Sequence, residues 1–349
     1  MYRHLDSRPT IPDALHVWNA RPQNPRCLAP RVPHGCSGDV INSHVVQRRG
    51  GGLQNIARAG KVYGFKHHPM FFIKQNGWHE PALVGIHAEV GVPLFCARHD
   101  QELFREAETQ PFEPTSRQLV QLNYRTVASR LYSNEAVVPQ FPQLYDADRG
   151  LPRDDQRRIF IAVDKLREES ETYLANIRAL KAQYDDWMSG DAVQTNALVL
   201  WFDGSPEFMC ASLTYALMDF QGLPIAPVGG LAHLCYYTVS DGATTAVVFS
   251  WLGQNTAAER LCTSLLLLPP ESRAFATLRY ALEYIDLIYL APDWWDRLPA
   301  TGKAMIVELL TEHSKPFRTH ASNALVQHQS DVSRLSFRKH TIIGGWRPA

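Results

Sequence analysis

Metal-ligand spacing constrains this chain more than any other feature. The stretch Cys27-Leu-Ala-Pro-Arg-Val-Pro-His34-Gly-Cys36 sets two thiols and an imidazole on a segment rich in Pro and Gly, and Cys96-Ala-Arg-His99 follows far downstream. Zinc takes four nitrogen or sulfur ligands in a tetrahedron, and a Cys-x-x-His pair suits a turn that enters a helix. The expected ligands of a structural Zn2+ are Cys27, Cys36, Cys96 and His99, with His34 as the alternative to Cys27. A fold that joins the two halves on one ion closes a long loop, and the residues between them must pack so as to allow it.

Composition narrows the remaining classes. The 349 residues are 45% hydrophobic and 20% charged, which is the balance of a globular protein rather than a disordered one. Apolar runs such as Leu265-Leu-Leu-Leu268 fall far short of the roughly 20 residues a membrane span needs. The first residues show no apolar signal region, so a cytoplasmic location and no membrane partner are expected. Cys210, Cys235 and Cys262 lie in apolar surroundings and read as small core residues rather than as part of a disulfide framework. The net charge is zero, yet residues 1–80 hold eleven Lys/Arg against four Asp/Glu, and residues 315–349 hold six against one. Two basic ends therefore flank an acidic middle, an asymmetry that suits a surface facing DNA or RNA.

Periodicity gives an α+β chain: an N-terminal zinc module, a long helix and a mixed C-terminal domain. Val40 to Val46 alternates like a strand, and Leu53, Ile56 and Ala57 have helical spacing closed by Gly60. Val62–Phe65 and Met70–Ile73 read as paired strands, helices are expected from Asp100 and over 118–131, and Asp154 to about Met188 carries a long amphipathic pattern. Strands are expected at 197–202, 234–239 and 246–251, the last two joined through Asp241-Gly242. Helices follow over 257–267, 272–289 and 302–313, and Lys315 onward reads as a polar tail. The Pro- and Gly-bearing stretch 134–155 marks the boundary, so the expected domains are 1–133, 154–314 and a basic tail 315–349. Trp294-Trp295 reads as a core or interface anchor. Asp203-Gly-Ser205 lacks the surroundings of a nucleophile elbow, and no P-loop or dinucleotide fingerprint is present.

The order of the metal-binding pieces resembles the treble-clef, or ββα-metal, arrangement of HNH-type endonucleases, over about 75 residues. Ser43-His44-Val-Val-Gln47 stands where that family has Asp-His-Ile-Ile-Pro, and Phe95-Cys96-Ala-Arg-His99-Asp100 stands where it has Leu-Cys-x-x-Cys-His. The resemblance implies that His44 is a general base activating water and that Asp100 binds a catalytic divalent ion, Mg2+ or Mn2+. Ser43 departs from the family pattern, and either Asn55 or Asn76 stands for its middle asparagine. Arg48 and Arg49, followed by Gly50-Gly-Gly52, offer charge and exposed N–H groups to a phosphate backbone, or simply form a solvated turn. The expected activity is that of a bacterial-type zinc nuclease hydrolysing nucleic acid, with the C-terminal domain selecting substrate or forming a homodimer. The alternative is a non-catalytic treble-clef module that binds nucleic acid or a protein partner.

Overall fold

One residue of offset in two neighbouring strands decides what covers each face of the main sheet. In a computed structural model, which describes residues 26–30, 35–48, 51–65, 80–87, 91–145, 148–190, 195–225, 233–313, 323–326 and 332–348, strand Leu234–Ser240 pairs with strand Thr244–Leu252. Cys235 stands opposite Ser250, and Tyr236 stands opposite Phe249. Side chains of successive residues point to opposite faces. The Cys235–Ser250 face meets Asn123, whose Nδ2 donates to Ser250 Oγ at 2.9 Å, with Cys235 Sγ 3.8 Å from the Asn123 carbonyl. The Tyr236–Phe249 face meets Tyr280, 5.1 Å from both rings, and the Tyr236 hydroxyl donates to the Thr277 carbonyl. Helices on both faces leave these strands no solvated side, which is why both are apolar almost throughout.

Ten strands, eight α-helices and three short 3₁₀ turns make up the described elements. In chain order the strands and α-helices are β1 (Val40–His44), β2 (Lys61–Gly64), β3 (Ala82–Gly85), β4 (Gly91–Cys96), α1 (Ala97–Thr109), α2 (Ser116–Val137), α3 (Phe141–Leu144) and α4 (Arg153–Met188). Then come β5 (Thr195–Asp203), β6 (Phe208–Thr214), β7 (Leu234–Ser240), β8 (Thr244–Leu252), α5 (Thr256–Leu266), α6 (Arg273–Tyr284), β9 (Ile288–Leu290), α7 (Pro292–Arg297), α8 (Ala300–His313) and β10 (Ser336–Ile343). Eight strands form one antiparallel sheet in the order β10-β5-β8-β7-β6-β9-β2-β3, while β1 and β4 pair separately. The class is α+β, as the periodicity predicts. Strands from either side of the Pro- and Gly-bearing stretch 134–155 share the sheet, and their buried side chains belong to one continuous core.

Helix α2 is the hub of one layer. Thr115 caps it by accepting from the Gln118 N–H, and its buried residues occupy every face, Gln121, Asn123 and Arg125 included. Such a helix has no solvated stripe, because sheet, α1 and α4 enclose it. Helix α4 runs roughly 54 Å at 1.5 Å per residue and keeps most of its charges outward in pairs such as Arg167–Glu171, with Lys181 buried against Asp185.

Several elements differ from the sequence expectation. Residues 53–59 make only a single 3₁₀ turn at Leu53–Asn55 rather than a helix, since so short a segment cannot repay helix nucleation unless packing favours it. β2 pairs with β3 and β9, and Met70–Ile73, its expected partner, lies outside the described residues. The helix expected to reach residue 289 ends at Tyr284, and Ile288–Leu290 joins the sheet as β9. β6 follows the turn residues Asp203-Gly-Ser-Pro206, but it is buried throughout and so lacks an alternation to announce it. β10 arises from the stretch read as a polar tail: as an edge strand it presents Arg338, Lys339 and His340 to solvent, charges that discourage edge-to-edge aggregation. No helix among the described residues is long and apolar enough to cross a membrane.

Candidate metal centre and the residues beside it

Strand pairing carries the distant thiols together. Val40 stands opposite Cys96 in the β1–β4 pair, so Cys36, four residues before Val40, arrives at the start of α1. Gly91 permits the close approach of these strands, since a Cβ there would meet Asn42 Cβ at 2.8 Å. Cys27 is fixed by its neighbour Leu28, whose N–H donates to the Leu94 carbonyl at 2.8 Å and whose carbonyl lies 2.7 Å from the Tyr124 hydroxyl. Arg98 ties the Cys36 segment to the first turn of α1, donating from its backbone N–H to Ser37 Oγ and from its guanidinium to the Gly35 carbonyl. Cys96 is the N-cap residue of α1, and His99 follows within the first turn.

The result is one cluster. His99 Nδ1 lies 3.3 Å from Cys27 Sγ, 3.3 Å from Cys96 Sγ and 3.8 Å from Cys36 Sγ. All four ligand atoms fall within 4.8 Å of one another. A tetrahedral zinc ion, with bonds of about 2.3 Å to sulfur and 2.0–2.1 Å to nitrogen, sets its ligands about 3.5–3.8 Å apart. The donor set and its spacing suit zinc, and Cys27, Cys36, Cys96 and His99 could hold the ion. His34, the alternative fourth ligand, lies outside the described residues.

The thiols differ in their readiness to ionise. Burial pushes Cys27 up to about 11, against N–H bonds from Cys96 and Ala29 that favour its thiolate. Burial pushes Cys96 in the same direction, but hydrogen bonds from the backbone of His99 and Ser37, the Ser37 hydroxyl and the Cys27 thiol outweigh it and bring Cys96 down to about 6. Without metal the pair holds one proton between them near neutrality. A zinc ion takes both as thiolates.

His44 ends β1. Its Nε2 lies 3.2 Å from the Ile86 carbonyl, which can only accept, so Nε2 carries the proton and a neutral ring leaves Nδ1 as the acceptor. Burial lowers the His44 pKa; the Ile86 bond opposes this, Arg48 and Arg125 lower it further, and Asp100 raises it. Ser43 faces the other side of β1, with its hydroxyl buried and unpartnered. Asp100 stands in the first turn of α1, and its Oδ1 lies 3.7 Å from Arg125 Nη2.

Arg125 is the residue that sequence reasoning missed. Its side chain is 1% exposed, bonds Glu108 at 2.6 Å, donates to the His44 carbonyl at 3.3 Å and lies 3.9 Å above the Phe104 ring. The available signal was an arginine interrupting the apolar run from Leu119 to Leu131, where a buried cation needs carboxylate partners. Arg48 donates to His87 Nδ1 at 3.2 Å, and Arg49 lies outside the described residues. Asn55 donates to the Ser240 carbonyl, while Asn76 lies outside the described residues.

The other residues singled out by sequence are structural. Trp294 and Trp295 are buried, and the Ser205 hydroxyl donates to the Gly242 carbonyl. Cys210, Cys235 and Cys262 are buried, and burial raises each thiol's pKa. Comparison with protein-family models, with curated proteins and with solved structures gives no match to this chain.

Proposed function

We propose that the β1–β4–α1 unit is a zinc-stabilised module of the HNH type, a treble clef in outline, that hydrolyses phosphodiester bonds of nucleic acid with His44 as general base. One observation carries this reading. His44 sits at the end of β1, held through Nε2 by the Ile86 carbonyl, and its environment favours the neutral ring, so Nδ1 is left to take a proton. In the proposed reaction His44 Nδ1 takes a proton from a water whose oxygen attacks phosphorus; the bond to the leaving oxygen breaks, and that oxygen takes up a proton. Arg48 beside His87, and Arg49, would bring positive charge to the phosphate. The zinc held by Cys27, Cys36, Cys96 and His99 would be structural, because four protein ligands fill its tetrahedron.

Asp100 is the proposed ligand of a catalytic Mg2+ or Mn2+. The second reading, a treble-clef module that binds nucleic acid or a protein without cutting, is favoured by the Arg125 guanidinium 3.7 Å from that carboxylate, since a fixed cation opposes a divalent ion there. Cleavage assays on DNA and RNA with Mg2+ or Mn2+ separate the two. His44→Ala is expected to keep its zinc and melting temperature and to lose about 10²–10⁴-fold in rate, the usual cost of removing a general base. Wild-type protein that binds nucleic acid but leaves it intact with either ion supports the binding module instead.

A further inference from the structure

The two basic stretches read from the sequence lie almost three hundred residues apart, yet the fold brings Gly51, three residues after Arg48, and Trp201, beside Lys339, to the walls of one cleft. The cleft encloses about 360 Å³ and is lined by Gly51, Thr109, Phe112, Trp201, Ser240 and Asp241 among others, within the ~300–1,000 Å³ of sites that hold small ligands. Its floor is aromatic: Phe112 and Trp201 have ring centroids 5.9 Å apart and planes tilted by 42°. The Trp201 indole N–H donates to Thr341 Oγ1 of β10 at 3.1 Å, which fixes the ring, and Lys339 Nζ lies 5.8 Å from its centroid. On the opposite wall, the loop that carries Arg48 lies flat on the end of β7. Gly51 has φ +103°, a Cβ there would meet Val239 Cγ1 at 2.7 Å, and its carbonyl accepts from the Ser240 N–H. The Asp241 carboxylate accepts from the N–H groups of Ala243 and Thr244, which holds the turn at the rim.

We infer that this cleft seats an unpaired base of single-stranded nucleic acid, with the strand's phosphates running between the Arg48 loop and Lys339 of β10. An aromatic floor inside a cleft reaches the face of a base only when that base is free of a duplex, and every base presents such a face. The inference extends the hydrolytic reading by naming its substrate class, and contacts connect the two places. Gln47 donates to the Ala107 carbonyl, Arg125 joins the His44 carbonyl to Glu108, and the next residue, Thr109, lines the cleft.

The test uses the full zinc-loaded chain with a labelled oligothymidylate about ten nucleotides long, in the range such sites cover, and a duplex of equal length. Trp201→Leu is expected to weaken oligothymidylate binding about five- to a hundredfold, the loss of one stacked base, and Phe112→Ala is expected to weaken it in the same direction. Lys339→Gln should lower the salt slope by about one, and duplex binding should be unchanged in all three. Failure of wild-type protein to bind the oligonucleotide, or folded Trp201→Leu and Phe112→Ala proteins that bind it as wild type does, would overturn the inference. His44→Ala keeps the two readings apart: unaltered cleavage in that variant ends the hydrolytic reading, whereas the Trp201→Leu binding loss stands without any cleavage.

Discussion

The metal corner and the helix-covered sheet solve the same problem by different means. The sheet between α2 and α6 places Tyr236, Phe249 and Tyr280 in mutual contact and buries its central strands on both faces. Burial at about 25 cal/mol per Å² suffices to order such a region. The corner is a two-stranded ribbon and one helix, and two paired strands alone are marginal in water. It leans on the Phe95, Phe104 and Tyr124 rings beneath it and on four ligand atoms gathered from three chain segments. A metal ion held by those four atoms would cross-link the corner, substituting for area where too little chain is available to bury.

The comparison breaks most visibly at Cys96. Cys96→Ser is expected to take bound zinc from one ion per chain to none and to release the corner, because structural zinc contributes roughly 10 kcal/mol or more of folding free energy in small zinc peptides. Metal analysis with hydrogen exchange checks this: amides of β1, β4 and the start of α1 should lose protection while β5, β7 and β8 keep theirs. Equal loss in both regions would mean that the corner and the sheet unfold as one.

Tyr280→Ala is the converse. It removes a fully buried ring from the contact with Tyr236, Phe249 and Tyr284 and is expected to cost about 3–5 kcal/mol, read as a fall in denaturation midpoint with zinc content unchanged. Zinc loss at native pH in that variant would show the metal site to depend on the sheet.

Acid should separate the regions without mutation. With Cys96 near 6 and Cys27 near 11 in the metal-free protein, zinc binding between those values displaces at least the Cys27 proton. Apparent zinc affinity is therefore expected to fall by about tenfold or more for each unit of acidification, and more steeply below 6, where Cys96 also holds a proton. A competition titration against a chelator across pH measures it, and a flat profile would remove Cys27 from the ligand set.

The smallest effect concerns Arg125, which links the corner to α2. Arg125 is one of the charges that lower the His44 pKa, so Arg125→Met should raise it, with burial, the largest cause, still holding it down. His44 disfavours its proton in the folded state, so its contribution to stability is present above the unfolded value of about 6.5 and is lost as pH falls. In the variant that acid-side loss should shrink. An NMR titration of the His44 ring reads the shift, and an unmoved value would show that Arg125 acts on His44 only through its carbonyl.

Chemistry-bearing residues were legible in the sequence because ligand types declare themselves: three thiols and an imidazole at these spacings have few other uses, and Cys27, Cys36, Cys96 and His99 do converge. Strongly marked elements were legible too, α4 by its 3.6-residue repeat and the β7–β8 hairpin by two apolar runs joined through Asp241-Gly242. Tertiary structure alone decided the rest. β6, β9 and β10 carry weak or polar patterns and become strands only because neighbours offer unpaired backbone groups. Nothing local in Arg125 reveals that it joins His44, Asp100 and Glu108, and nothing in Trp201 foretells a cleft shared with Gly51 and overlain by Lys339. Such pairings depend on which faces of distant elements are pressed together, and a one-dimensional pattern records the faces without recording what meets them.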